Sequence, residues 1–282
     1  MTATLSRHVA LVSESAETSI SELSTVASVL ERQVVQDLAP LWGVHGTVSW
    51  FPDLESVPTG YWPVIVVDGR PEATAPGGHV DRHGQPFAVV RSSANWSLAA
   101  SHMVLEMLID PWGNRLVPGR SPVVEQGPVQ FLLAACDPCA DTACAYAVDG
   151  ILVSDFTTPA YVESRSAPGT RYSFTGAITR PLEVLPGGCL SWFDPASRQV
   201  WQENHFGSEP EVRALGVGER VFTSFREWVD ARTRMPVSEP GAAVDQCRVG
   251  RLADEASASR SCSAARAHSL RMQMRELARR AT

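Results

Sequence analysis

Residues 101–111 read S-H-M-V-L-E-M-L-I-D-P, and this stretch decides how the rest of the chain is interpreted. On a helical wheel of about 100° per residue, His102, Glu106 and Asp110 fall in one polar stripe. The opposite arc is apolar and holds Leu98, Val104, Leu105, Leu108 and Ile109. The pattern predicts an amphipathic helix over residues 96–109, which ends at Asp110-Pro111 because proline cannot continue it. A histidine and a carboxylate four residues apart on a helix can hold one ion between them, or they can hydrogen-bond each other.

The segments around this helix alternate between strand and helix patterns. A second helix is predicted over residues 19–38, because its apolar residues recur at helical spacing. Residues 62–67 contain the β-branched run V-I-V-V, which is typical of a strand covered on both faces. Further strands are predicted at residues 8–13, 47–51, 86–91, 129–134 and 150–156, with a Gly/Pro/His-rich loop at 76–85, a hairpin at 190–201 and a helix at 222–234. These elements predict an α+β fold with a twisted mixed sheet.

Composition divides the chain into four parts. We expect an N-terminal subdomain with the motif helix over residues 1–115 and a smaller C-terminal subdomain over residues 116–235, which completes a cleft. Residues 236–262 are rich in Pro, Gly, Ala and Ser, which indicates a linker. Residues 263–282 predict an amphipathic helix with several arginines. Packing of this helix on the domain, or on a second copy as a homodimer, is preferred over binding to nucleic acid, because the whole chain is acidic.

The charged residues exclude several chemistries. All 24 basic residues are arginine, so no lysine is present to form a Schiff base or to complete a Walker-type phosphate loop. The net charge of -7 gives no overall attraction to nucleic acid or to an anionic membrane. There is no run of about 18 apolar residues that could span a membrane, and the N-terminus is not typical of a secretory signal. We therefore expect a cytoplasmic protein whose partner is a small-molecule substrate, with neither nucleic acid nor membrane as a partner.

Four further sequence motifs accompany the motif helix. They are residues 39–44 (APLWGV), 134–138 (AACDP), 148–161 (VDGILVSDFTTPAY) and 185–194 (LPGGCLSWFD). Over roughly residues 8–205 the chain resembles an uncharacterised bacterial family with the metallopeptidase-like motif S-H-E-h-L-E-h-h-A/V-D-P, in which h is apolar. The resemblance implies a zincin-like fold, in which a backing helix and the motif helix lie beneath the twisted sheet. It also implies a cleft between His102 and Glu106 on one side and the segment from Asp137 to Tyr161 on the other.

Two departures from the family pattern bear on the chemistry. The family has a glutamate directly after the helix histidine, where this chain has Met103. In zinc peptidases that glutamate is the general base for the metal-bound water, and a methionine cannot take a proton. A second family glutamate, a candidate third metal ligand, is replaced by Ala134. Losing a positioned base typically removes about 10²- to 10⁴-fold in rate, so we expect neither ordinary peptide hydrolysis nor a bound metal or other cofactor.

Acid–base groups nevertheless remain in the expected cleft. His102, Glu106 and Asp137 are the candidate catalytic residues. The candidate substrate-binding residues come from the motif helix, from the segment after it and from the loop before it, and they are Met103, Met107, Asp110, Ala134, Tyr146, Tyr161 and His79.

Three functions are compatible with these residues. The first is a non-hydrolytic enzyme that catalyses a cyclisation or isomerisation of a small apolar molecule, in bacterial specialised metabolism. The second is a ligand-binding pseudoenzyme that keeps the pocket without chemistry. The third, ranked below the other two, is an atypical zinc metallopeptidase.

The cysteines suggest a separate metal site only weakly. Cys136, Cys139 and Cys144 have C-x2-C-x4-C spacing, but the second pair that a tetrahedral zinc site requires is missing from the sequence. Free thiols or one local disulfide are therefore preferred.

Overall fold

The computed structural model describes residues 6–68, 77–80, 84–163, 167, 169–218 and 224–233. These residues form one mostly parallel sheet, one antiparallel sheet and a two-stranded hairpin, with helices packed against them. The predicted α+β class is therefore confirmed. The predicted linker at 236–262 and the helix predicted at 263–282, with its homodimer contact, lie outside the described residues.

The first sheet has the strand order β2-β1-β3-β5-β4. Its strands are β1 (Ser6–Ser13), β2 (His45–Phe51), β3 (Tyr61–Val67), β4 (Gly77–Val80) and β5 (Pro86–Arg91). The pairs β1–β2, β1–β3 and β3–β5 are parallel, whereas β4 is antiparallel to β5 at the edge. The sequence predicted a loop over residues 76–85, and β4 is the part of that loop which pairs with the sheet. Its two glycines, Gly77 and Gly78, hide the strand pattern because glycine is depleted in strands.

The central strand β3 shows why this sheet forms. Val64, Ile65 and Val66 are completely buried, as the β-branched run predicted for a strand covered on both faces. Val64 and Val66 pack on the face that carries the helices. Ile65 packs on the opposite face, in a smaller cluster with Leu54, Val57 and Phe87. The alternation follows from the two-residue period of a strand.

The backing helix is α1 (Ile20–Arg32), and Ser19 caps it by accepting the N–H of Glu22. The predicted helix over 19–38 does not continue as a regular α-helix. It widens into a π-helical segment at Gln33–Leu38 and then ends in the short helix α2 (Ala39–Trp42). The side chain of Gln33 is fully buried there and bonds to Ser101 Oγ (2.7 Å) and to the carbonyl of Ser154 (2.9 Å). This π-helical segment thus ties the backing helix to the motif helix.

The motif helix is α3 (Trp96–Ile109), and it is buried on all sides. Every residue from Ala100 to Ile109 is buried, so the amphipathic helix predicted from the wheel has no solvent face in this stretch. The helix contacts β3 and β5 of the first sheet and also a short strand at Ile151–Val153. Two residues of the polar stripe, Glu106 and His102, contact Cys136 and Asp137 in the second half of the protein.

The second sheet is antiparallel and begins at Leu116, directly after the motif helix and its loop. Its strands are β6 (Leu116–Arg120), β7 (Pro128–Leu132), β10 (Cys189–Asp194), β11 (Gln199–Asn204) and β12 (Glu211–Val217), in the order β12-β11-β10-β7-β6. The hairpin consists of β8 (Tyr146–Val148) and β9 (Ile151–Val153), and the last described helix is α4 (Phe225–Thr233). Phe225, Trp228 and Val229 of α4 pack with Leu132 and Val200 of this sheet.

None of the described helices combines the length and the hydropathy that a membrane-spanning helix requires.

Candidate functional site

The structure brings the three candidate catalytic residues together. His102 and Glu106 are one turn apart on α3, and Asp137 begins the short 3-10 turn Asp137–Cys139. Each residue offers one ligand atom, and these atoms all lie within 4.8 Å of one another. His102 Nε2 is 3.2 Å from Asp137 Oδ1, and the Cys136 N–H donates to Glu106 Oε1 at 2.7 Å.

A fourth residue, Arg226 of α4, completes this cluster. Its NH2 nitrogen donates to Asp137 Oδ1 at 2.9 Å, and its NH1 nitrogen lies 3.3 Å from Glu106 Oε2. Arg226 is only 9% exposed. The sequence patterns did not single out this residue among 24 arginines. One sequence signal was available. Arg226 lies next to the apolar stripe of Phe225 and Val229 on α4, and a position beside such a stripe indicates a side chain that is at least partly buried.

The charges in this cluster change the proton affinity of its members. Burial raises the pKa of Glu106 to about 7, although the charges of Arg226 and His102 oppose the rise. Burial would also raise the pKa of Asp137, but Arg226 and the contact with His102 outweigh it and hold that pKa well below its usual range. The two carboxylates in turn outweigh the effect of burial on Arg226 and raise the pKa of its guanidinium well above the ordinary value. Asp137 and Arg226 are therefore an ion pair at neutral pH, while Glu106 is poised to gain or lose a proton.

The raised pKa of Glu106 predicts a pH dependence of stability. Between its ordinary value of 4.5 and the folded value of about 7, the folded chain keeps a proton on Glu106 that the unfolded chain releases. The free energy of unfolding therefore falls as the pH rises through this window. Glu106→Gln removes that proton exchange while Asp137, Arg226 and His102 remain. In urea unfolding, we expect the unfolding free energy of the variant minus that of wild type to increase by more than about 1 kcal/mol as the pH rises through the window. Parallel pH profiles for the two proteins would contradict the assignment.

The cluster borders a cavity with a volume of about 330 Å³. His102, Asp137 and Arg226 line it on the side of α3 and α4. The other lining residues come mainly from the second sheet and from α4, and they are Leu132, Ala140, Gly187, Cys189, Ser191, Gln202, Phe206, Val229, Asp230 and Thr233. Its volume lies at the lower end of the range of ligand pockets, which is about 300–1,000 Å³.

The Gly187-Gly188 turn fixes the position of Asp137. A Cβ atom at Gly188 would lie 2.4 Å from the carbonyl oxygen of Pro138 and 2.9 Å from that of Asp137. The Leu185 N–H also donates to the carbonyl of Pro138 at 3.0 Å. Glycine at position 188 therefore allows the two backbone segments to touch, which holds Asp137 beside His102.

We expect Gly188→Ala to displace the turn that carries Asp137 and to lower the free energy of unfolding by about 1–3 kcal/mol, because the added methyl group meets backbone. The matched control is Gly207→Ala, since a Cβ there meets nothing within 4 Å. Urea unfolding of both variants checks the prediction. Equal stability of the two variants would show that the close approach at Gly188 is not required.

The loop after the motif helix positions Arg226. The Asp110 carboxylate accepts the N–H groups of Arg115 (2.7 Å) and Asn114 (3.3 Å) and so shapes this loop. The Asn114 side chain then accepts the N–H of Phe225 at 2.8 Å, and the Gly113 carbonyl accepts the N–H of Arg226 at 2.9 Å. The sequence after the helix thus holds the first turn of α4 against the site.

The remaining candidate residues lie in several different places. Met103 is completely buried in the core between the sheet and α3, and Met107 is in the same core. Asp110 and Met107 border a void of only about 20 Å³ next to Glu106. Ala134 packs beside the cluster formed by α4 and the second sheet.

Both tyrosines are held by protein partners. The hydroxyl of Tyr146 accepts from Gln33 (3.0 Å) and donates to Asp37 (2.7 Å), whereas that of Tyr161 donates to the carbonyl of Glu183 (3.2 Å). Neither tyrosine lines the cavity of about 330 Å³. His79 is in β4, where its backbone pairs with that of Phe87 in β5. The side chain of His79 lies outside the described part of the chain.

The cysteines of the described part of the chain, Cys136, Cys139, Cys144 and Cys189, are all free thiols. Burial raises the pKa of each of the four thiols. Within the described residues, the group that could hold a metal ion contains His102, Glu106 and Asp137 and no cysteine. Cys247 and Cys262 lie outside the described residues.

Comparisons of the chain with family models, with curated proteins and with solved structures find no match.

The zinc ion that the family resemblance implies can be tested against the residues present. His102, Glu106 and Asp137 are suitable ligand types, but the guanidinium of Arg226 already contacts both carboxylates at 2.9 and 3.3 Å. A divalent cation at the same carboxylates would be repelled by this fixed positive charge. The four residues together therefore do not fit a zinc ion.

Proposed function

We propose that this protein is a non-hydrolytic enzyme that moves a proton within a small, largely apolar molecule, in a cyclisation or isomerisation and without a metal ion. The observation that carries the proposal is the contact of His102 with Asp137, at 3.2 Å, on the wall of the cavity of about 330 Å³. Bacterial specialised metabolism is the setting that we propose, because there a hydrolase-like cleft would be reused for a small substrate.

The fold supports a zincin-like ancestry for this cleft. The antiparallel edge strand β4 lies beside β5, the motif helix α3 follows β5 directly, and α1 and α3 both contribute to the core on one face of the sheet. This arrangement agrees with the backing helix and motif helix that the family resemblance implies. The side of the cleft opposite the motif helix would be formed by the second sheet together with α4.

The chemistry follows from how the charged groups support one another. Arg226 keeps Asp137 ionised, and the Asp137 carboxylate faces the His102 ring. The contact of 3.2 Å with this carboxylate holds the histidine ring at the cavity wall. The imidazole would take a proton from one atom of the substrate and return it to another, so that the substrate keeps its mass. Glu106 lies behind this pair and contributes a second proton-binding group.

The same residues argue against hydrolysis. Met103 stands where the family has its general base, and it is completely buried in the core. It therefore neither takes a proton nor reaches a water molecule in the cavity. Without an activated water, a substrate held in this cavity would react within itself when its reacting atoms are brought close together.

The experiment is an incubation of the chelator-treated wild-type protein with a small-molecule extract of cells that carry its gene, followed by liquid chromatography and mass spectrometry. We expect one compound to be converted into a product of equal mass, with a changed retention time and at the same rate with or without chelator. A product heavier by one water molecule would indicate hydrolysis and contradict the proposal. A compound that is retained by the protein but not converted would favour the ligand-binding pseudoenzyme instead.

A further inference from the structure

Arg226 stands among three side chains of the kinds that bind divalent metals. The ligand atoms of His102, Glu106 and Asp137 lie within 4.8 Å of one another, which is the spacing of a potential metal site. The guanidinium reaches both carboxylates of this group, with nitrogen–oxygen distances of 2.9 and 3.3 Å. We propose that the guanidinium of Arg226 takes the position of the cation in a His-Glu-Asp metal site, so that the chain closes this site with its own side chain.

Two buried nitrogen atoms of this cluster provide a second observation. Within the described part of the chain, His102 Nε2 and Arg226 NH1 are both buried and have no hydrogen-bond partner. Their distances of 3.2 Å to Asp137 and 3.3 Å to Glu106 are those of charge contacts whose angles do not suit hydrogen bonds. Buried polar atoms are normally hydrogen-bonded. His102 Nε2 is therefore a ligand atom that no hydrogen bond already uses.

The guanidinium and a metal ion exclude each other at this place. Zinc binds carboxylate oxygens at about 2.0–2.2 Å, which would bring it against the guanidinium that now lies beside the same oxygens. Arg226 keeps its charge, because an arginine is not deprotonated in proteins. Its backbone N–H is also held by the Gly113 carbonyl at 2.9 Å, so that α4 stays docked. A metal ion therefore enters only when the guanidinium is removed.

The test is zinc binding to the full-length chain after treatment with a chelator, measured by isothermal titration calorimetry. The proteins are wild type, Arg226→Ala, and Arg226→Ala combined with His102→Ala. We expect Arg226→Ala to bind about one zinc ion per chain in a step that the added His102→Ala abolishes. Because the cysteines could bind zinc on their own, the His102-dependent step is the quantity to compare. In wild type this step should be absent or at least about 100-fold weaker, since zinc would have to break a buried ion pair.

Thermal unfolding provides the second readout. Zinc should raise the Tm of Arg226→Ala, because the metal binds the folded state and replaces the missing charge, and it should leave the Tm of wild type unchanged. If Arg226→Ala folds only in the presence of zinc, that result supports the proposal as well. If Arg226→Ala folds neither with nor without zinc, Arg226→Gln is used in its place. This variant removes the charge but keeps a hydrogen-bond donor for Asp137. Failure of both variants to fold with zinc would overturn the inference, since the site would then not accept a metal in place of the guanidinium.

This inference rests on the metal-free use of the site in the proposed function, and the outcomes separate the two. A folded Arg226→Ala chain without His102-dependent zinc binding would overturn the inference alone. Stoichiometric, His102-dependent zinc binding by wild type would overturn the inference and would also contradict a metal-free reaction.

Discussion

Replacing Arg226 with alanine should lower the free energy of unfolding by about 3–5 kcal/mol in the absence of metal, because it leaves the buried Glu106 and the partly buried Asp137 without their counter-ion. Asp137 and Glu106 contact Arg226 at 2.9 and 3.3 Å, and Arg226 and Glu106 are both buried. Protonation of Glu106, whose pKa is already about 7, relieves part of this cost. The loss should therefore be larger at alkaline pH than at mildly acidic pH.

Urea unfolding of wild type and Arg226→Ala at two pH values measures this effect. Arg180→Ala is the matched control, because Arg180 also faces a carboxylate, that of Glu183 at 3.6 Å, but its side chain is 77% exposed. An exposed ion pair of this kind contributes no more than about 1 kcal/mol. Similar losses in the two variants would mean that the Arg226 cluster is solvated and does not hold the site together.

The His102→Ala variant should lose about 10²- to 10⁴-fold in the rate of the mass-conserving conversion, because it removes the group that takes and returns the proton. The comparison requires a variant that folds, so thermal unfolding accompanies the rate measurement. We expect the Tm to stay close to that of wild type, since the Arg226–Asp137 ion pair remains.

His45→Ala serves as the control for this loss. His45 begins β2 at the edge of the first sheet and is exposed. Its removal should leave the conversion rate at the wild-type value. A His102→Ala chain that converts the substrate as fast as His45→Ala would exclude His102 from the reaction.

Much of the fold could be predicted from local patterns. The buried run in β3, the motif helix that ends before Asp110-Pro111, and the β10–β11 hairpin all depend on periodicity or turn residues that a short window contains. Strand β4 could not be predicted in this way. It pairs with β5 through backbone groups, and its glycines give no alternating pattern. The π-helical segment after Arg32 was also missed, and the contacts of its first residue, Gln33, with Ser101 and Ser154 are tertiary ones that no local pattern reports.

The site was predictable only in part. The helical spacing placed His102 and Glu106 on one side of α3, and the family resemblance added Asp137. The wheel could not distinguish the faces further, because residues 100–109 are buried all round, and so it put Met103 beside the cleft although that side chain is in the core. Arg226 lies 89 residues from its partner Asp137, and no local pattern reports a contact at that separation. Its position depends on the loop of Gly113 and Asn114, which docks α4 onto the site.

Anomalous X-ray scattering at the zinc edge, from crystals of the wild-type protein grown in the presence of zinc, tests whether Arg226 takes the place of a metal ion. We expect no anomalous peak between His102, Glu106 and Asp137, and we expect guanidinium density for Arg226 beside the two carboxylates. A strong zinc peak at these three side chains, with Arg226 turned away from them, would contradict this expectation.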